Sequence, residues 1–296
     1  GFSVRVRLTV AALAVTVASN ELKLTKRLEK GLCSVYISIP FCPSRCAYCS
    51  FVSYTSKKLL SLIDDYLINL YEDIRHIFSV IRELSLKVAT IYIGGGTPTV
   101  LNDTQLEELF LCIAENTDTS TLLEYTLEAG RPDTITAQKL AIAKKYGVTR
   151  VSVNAQSLSD NVLANIGRRH TALDFLRAFD TARNSGIPTI NTDLIAGLPG
   201  DSFAEFSKSV DGVIDMRPEN LTVHTFCVKK SSDLLRHNSD IFSPTGGDVW
   251  KCVDYSQVRA RNSGYRPYYM YRQKNTVGNL ENVGYSLDGA EGMYNI

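Results

Sequence analysis

The stretch FCPSRCAYCSF, residues 41–51, carries Cys42, Cys46 and Cys49 in the spacing C-x3-C-x2-C. Thiolates packed this closely hold soft metal ions or iron–sulfur clusters. A structural zinc site takes four protein ligands, and an all-cysteine cluster takes four thiolates. Three thiolates therefore imply a distant fourth ligand or a coordination position left open. Cys33 is a candidate fourth ligand, but it starts the strand that leads into Cys42, and at a rise of about 3.3 Å per residue it falls toward the opposite end. Packing of three thiols in a core is a poor account of a turn that also holds Pro43, Ser44 and Arg45.

The elements that must position these thiols follow from hydrophobic periodicity. Apolar, β-branched runs at 33–39, 88–93, 122–129, 150–155, 187–196 and 220–226 predict six strands. Between them lie helical patterns, several opening on Asp, Thr or Ser and two closing on Gly. Helical crossovers between strands imply parallel, right-handed units, which leaves an open doubly wound sheet or a barrel. In either, the chemistry gathers at the C-terminal strand ends. The cysteine motif follows the first strand, GGGTP (94–98) the second, EAGRPD (128–133) the third and NAQS (154–157) the fourth, while DLIAGLPG (193–200) ends the fifth. All five fall on one rim.

Two of the charged residues on these segments are informative on their own. Glu128 ends an apolar strand, where a carboxylate must reach the open rim to escape the cost of burial. Asp193 interrupts an apolar run and calls for a polar partner. The glycine run admits a close approach of backbone to a ligand, but it is neither a dinucleotide fingerprint nor a Walker loop.

Composition limits the remainder. The 296 residues are 44% hydrophobic and 21% charged, enough for a large core, and 32 basic against 31 acidic residues provide no overall field toward nucleic acid or an anionic membrane. Seven cysteines, an odd number with three crowded together, predict a reducing, cytoplasmic setting rather than a disulfide framework. Residues 4–19 have the outline of a weak signal peptide, although the apolar run is too short to span a bilayer and a buried helix or strand explains it as well. The expected organisation is an N-terminal remnant over 1–30, a barrel over 31–230, and a Tyr-rich C-terminal segment over 231–296 folded onto it.

The cysteine motif, with Tyr48 before its last thiol, resembles the radical S-adenosylmethionine (SAM) superfamily. Tyr36 six residues ahead of Cys42, IPFCPSRCAYCSF, EAGRPDTIT, IGRRHT, NTDLIAGLPG, YYMYRQKN and ENVGY look most like the oxygen-independent coproporphyrinogen III oxidases, or coproporphyrinogen dehydrogenases, of the HemZ type. The resemblance runs from about residue 20 onward, with both ends expected to be cut short. It implies a partial (β/α)6 barrel in which Cys42, Cys46 and Cys49 hold a [4Fe–4S] cluster whose fourth iron binds SAM. It further implies SAM contacts from Tyr36, Tyr48, Gly94, Gly95, Gly96, Thr97, Glu128, Gln156, Arg168 and Asp193. Two departures stand out: Ser38 lies where the family's best-studied members carry a His, and Ser50-Phe51 replaces a further cysteine.

The implied reaction is oxidative decarboxylation. An electron from the cluster cleaves SAM, the resulting radical takes hydrogen from a porphyrinogen propionate, and loss of CO2 and an electron leaves a vinyl group. A flavodoxin or ferredoxin is the expected electron donor. A tetrapyrrole with four propionates needs cationic forks, for which Arg131, Arg169, Arg272 and Lys274 are the candidates. His170 and His224 are weaker candidates. A haem chaperone on the same scaffold and a zinc-bearing binding module are the other classes the sequence admits.

Overall fold

The computed structural model describes residues 4–26, 28–49, 54–227 and 247–296. Among them, eight strands form one sheet: β1 Leu32–Ile39, β2 Lys87–Gly95, β3 Glu124–Glu128, β4 Arg150–Ser152, β5 Thr189–Ala196, β6 Asn220–Thr225, β7 Arg266–Tyr271 and β8 Asn282–Ser286. The order is β1-β2-β3-β4-β5-β6-β8-β7. Pairing from β1 to β6 is parallel, and β8 joins β6 and β7 antiparallel. The six parallel strands make the partial barrel. The C-terminal segment is joined to it over the described residues 247–296, where β8 and β7 extend the same sheet.

Helices α1 Val4–Thr25, α2 Lys57–Leu60, α3 Ile63–Glu83, α4 Asp103–Asn116, α5 Ala137–Lys145, α6 Asp160–Asn165, α7 Ala172–Asn184, α8 Phe203–Asp215 and α9 Val249–Asn262 accompany the strands. Side-chain caps set several starts. Asn102 and Gln105 form a reciprocal capping box on α4, and Thr171 and Asp174 form another on α7. α1 lies against β7, where the Asn20 amide donates to the Pro267 carbonyl at 2.8 Å. The segment with a signal-like outline is thus a helix that covers a sheet edge. No helix among the described residues is long and apolar enough to cross a membrane.

The two faces of the strands divide the labour. Ile37, Ile39, Ile91, Ile93, Leu127, Val151, Val153, Leu194 and Val223 point outward and join one core with the helices. The alternate positions, among them Tyr36, Tyr92, Glu128, Ser152, Asp193, Thr222 and His224, line a central cavity of about 820 Å³. A period of two separates an apolar outer face from a polar inner one.

Arg150 and Glu124 hold the N-terminal end of the barrel. Arg150 Nε lies 3.1 Å from Glu124 Oε2, its Nη1 donates to the Asn220 side chain, and its Nη2 donates to the carbonyls of Ala290 and Glu291 at 2.9 and 3.0 Å. Glu124 also accepts from the Met293 N–H at 2.8 Å. This buried pair fastens residues 290–293 across the floor and sets the Tyr294 ring 4.8 Å from Tyr92 and 6.1 Å from Tyr36. Substitution of Arg150 by Met leaves the Glu124 carboxylate without its counter-charge and should cost about 3–5 kcal/mol of unfolding free energy, measured by denaturant titration.

Candidate functional site

The cysteine loop leaves the C-terminal end of β1 and is clamped on three sides. Cys42 N–H donates to the Tyr54 carbonyl at 3.1 Å, Thr97 N–H to the Phe41 carbonyl at 2.8 Å, and Ala47 N–H to the Ile166 carbonyl at 2.9 Å. The β2 turn approaches because residue 96 is glycine: a Cβ there would stand 2.6 Å from the Phe41 carbonyl oxygen. Gly95 has φ +108°, a backbone region that glycine enters without strain. This close approach places the Thr97 hydroxyl 3.3 Å from Cys42 Sγ.

Cys42, Cys46 and Cys49 all reach the cavity wall. Cys33 pairs with Val88 at the opposite end of β1. Burial pushes the Cys42 thiol up, as do Cys46 and Cys49, against the Thr97 hydroxyl and the Arg131 guanidinium. Arg131 is itself buried and bridges two loops: Nη2 donates to Ser44 Oγ at 2.8 Å, Nη1 to Cys46 Sγ at 3.4 Å, and Nε pairs with Asp133 at 3.1 Å. Arg168 adds a second tie, donating to the Gly130 carbonyl at 2.8 Å and to the Tyr48 hydroxyl at 3.1 Å.

The remaining SAM candidates lie mostly on the same wall. Tyr36, Tyr48, Gly95, Gly96, Thr97, Glu128, Gln156, Arg168 and Asp193 line the cavity; Gly94 sits just behind it, crowded by Glu128, Tyr92 and Tyr36. Gln156 has φ +64°, costly for a residue with a side chain, and its backbone is pinned by the Asp193 carbonyl at 2.8 Å and the Ile195 N–H at 3.0 Å. Its buried Oε1, like Asn154 Oδ1 and Arg168 Nε, finds no protein hydrogen-bond partner among the described residues.

Two carboxylates on this wall are driven apart in proton affinity. Burial and the nearby Asp193 push Glu128 up to about 8, against the Gly95 N–H and Arg168. Burial also acts on Asp193, but His224, Asn191 and Thr222 outweigh it and hold that carboxyl below its usual range. Near neutral pH, Glu128 carries a proton and Asp193 a charge.

Of the substrate candidates, only Arg131 reaches the cavity, and its guanidinium is committed to the cysteine loop and Asp133. Arg169 and Lys274 are exposed and off the wall; Arg272 is exposed and lies 3.7 Å from Glu281. His170 is buried off the wall, pushed down to about 4 by burial and Arg168. Sequence reasoning underweighted His224 and passed over Asn191, Tyr92 and Tyr294. Polar residues two apart, Asn191 and Asp193 on β5 and Asn220, Thr222 and His224 on β6, were the readable signal of an inner face.

Three cysteines on one loop, two of them with hydrogen-bonding groups at their sulfurs, beside a polar cavity with unpartnered buried atoms, suit an iron–sulfur cluster and a small polar ligand next to it. The chain belongs to the radical SAM superfamily, whose family description matches residues 36–212. Within it, the chain is 41% identical over 264 residues to the oxygen-independent coproporphyrinogen-III oxidase-like protein HemZ of Bacillus subtilis, covering 89% of this chain and 53% of that one. It is 36% identical over 197 residues to the heme chaperone HemW of the same organism, covering 66% of this chain and 51% of that one. The structure of coproporphyrinogen III oxidase HemN from Escherichia coli superposes with a TM-score of 0.73 at 24% identity, covering 91% of this chain and 59% of that one. The chain thus spans little more than half the length of these relatives.

Two outcomes follow from this geometry. Replacing Arg131 with Met should weaken iron retention by about tenfold or more after anaerobic reconstitution, measured by iron and sulfide content under chelator challenge. Glu128 keeps its proton in the folded state from its ordinary value of 4.5 to about 8, whereas the unfolded chain has lost it. Stability should therefore fall as pH rises through that window, and Glu128→Gln should flatten the loss in denaturation midpoints compared at pH 6 and pH 8.

Proposed function

We propose that this chain is the cofactor-binding part of an oxygen-independent coproporphyrinogen III dehydrogenase, converting propionate side chains of the porphyrinogen to vinyl groups in haem biosynthesis. The 41% identity with HemZ over 89% of the chain carries this reading. Cys42, Cys46 and Cys49 would hold three irons of a [4Fe–4S] cluster and leave the fourth to SAM. When bound, the cluster and SAM supply one-electron chemistry that removes a hydrogen atom from an unactivated C–H bond.

The chain's own residues bind and orient. The turn Gly94–Thr97 and Glu128 would meet the amino end of SAM, Gln156 and Arg168 its other polar groups, and Asp193 the ribose hydroxyls; Tyr36 and Tyr48 would flank it. Neutral Glu128 spares the cavity a second negative charge until a cationic ligand arrives and favours loss of its proton. A substrate carboxylate would find donors in Tyr269 and Gln273 on the far wall. A one-electron donor such as a flavodoxin or ferredoxin belongs to this reading.

The similarity to HemW supports a second reading, a haem chaperone on the same scaffold. The test is an anaerobic assay of the reconstituted, reduced protein with SAM, following 5′-deoxyadenosine and CO2 with and without coproporphyrinogen III, with Cys46→Ala as the blank. Cluster-dependent 5′-deoxyadenosine with CO2 and a protoporphyrinogen-mass product is the expected result. Tight haem binding without that product transfers the assignment to the chaperone; failure to assemble any cluster overturns both.

A further inference from the structure

His224 on β6 stands between two partners. Nε2 lies 3.6 Å from Asp193 Oδ2 on β5, and Nδ1 lies 3.0 Å from the Tyr271 hydroxyl oxygen on β7. Tyr271 reaches across from a strand that is not the neighbour of β6, since β8 lies between them. That strand carries Gly284 in register with Thr222 and Tyr269, and a Cβ there would collide with the Tyr269 ring. Without that Cβ the Tyr269 ring can lie flat, and Tyr271 stacks 6.1 Å from it at an interplanar angle of 4°.

The other Asp193 oxygen accepts from Asn191 Nδ2 at 2.9 Å. The Asn191 amide holds one carboxylate oxygen by a hydrogen bond, and His224 Nε2 faces the other at 3.6 Å, longer than a hydrogen bond, so the carboxylate has a partner on each side. Each carboxylate oxygen can accept two hydrogen bonds, so capacity remains for a ligand in the cavity that Asp193 lines. In a neutral imidazole with Nε2–H toward Asp193, Nδ1 accepts from the Tyr271 O–H, and every donor then runs from tyrosine to histidine to aspartate. A fixed, charged carboxylate with two acceptors side by side matches two adjacent hydroxyls.

We propose that His224 is a positioning residue for the ribose of SAM: Tyr271 fixes the imidazole, and the imidazole fixes the Asp193 carboxylate that accepts from the vicinal hydroxyls. This rests on reading Asp193 as the ribose acceptor and adds the two residues that orient it.

The experiment uses the full chain with its cluster reconstituted and measures equilibrium binding of 5′-methylthioadenosine and of its 2′,3′-dideoxy form. His224→Ala should weaken the diol-bearing ligand about tenfold, the scale of one hydrogen bond to a charged group, and leave the dideoxy form unchanged. His224→Gln, whose amide nitrogen can replace Nε2, should restore binding, whereas His224→Asn, whose amide nitrogen mimics Nδ1, should not. Tyr271→Phe should fall between wild type and His224→Ala. Equal loss for both ligands, or no rescue by Gln, would mean a general packing role and overturn the proposal. If Asp193→Asn weakens the diol ligand while His224→Ala does not, the proposal alone fails. If Asp193→Asn has no effect, the ribose reading fails with it.

Discussion

The buried guanidinium of Arg131 ties the cysteine loop to the turn after β3. Its charge is balanced by Asp133 and its remaining donors meet Ser44 and Cys46, so a loop of small and polar residues acquires one position. A three-cysteine site needs this because its sulfurs must lose their protons together to hold metal, and like charges brought that close repel one another. Removal of one partner from a buried charge network is costly, which makes the arrangement all-or-none. Thr97 on Cys42 and Arg168 on Tyr48 extend the same clamp around the loop.

From that rim inward, the barrel reverses the usual arrangement of a core. The apolar faces of the strands turn outward to the helices, and the inner faces carry phenols, amides and acids. Such an interior is stable only because its polar groups are partnered or open to the cavity. The Arg150–Glu124 pair at the floor fills the end away from the cysteines and binds the last residues across it.

Glu128 and Asp193 show how one cavity sets two carboxyl groups to different states. Both are partly buried on the cavity wall, but Asp193 has His224, Asn191 and Thr222 as partners while Glu128 has one backbone N–H and a more distant Arg168. The difference lies in hydrogen-bond count rather than depth. It leaves a neutral group near the glycine turn and a charged acceptor on the opposite strand, a polarity suited to a ligand that is cationic at one end and hydroxylated at the other.

The sequence by itself determined the thiol triplet, the six parallel strands and the rim on which five motifs gather, because spacing and a period of two are local properties that survive without knowledge of the fold. It also marked Glu128 and Asp193, as acids set into or at the end of apolar strands, while Gln156 and Arg168 were marked through the family resemblance. Only the tertiary structure decided that Arg131 serves the cysteine loop and that Arg169, Arg272 and Lys274 stand off the wall, since an arginine's role depends on which buried oxygen or sulfur its fork meets. Likewise β7 and β8, expected only as part of a Tyr-rich segment folded onto the barrel, became sheet because β8 pairs antiparallel with β6 across about 60 residues of chain and β7 pairs with β8. That long-range pairing brought Tyr271 to His224, a contact encoded in no local pattern because the two residues meet only once β8 has placed β7 beside β6.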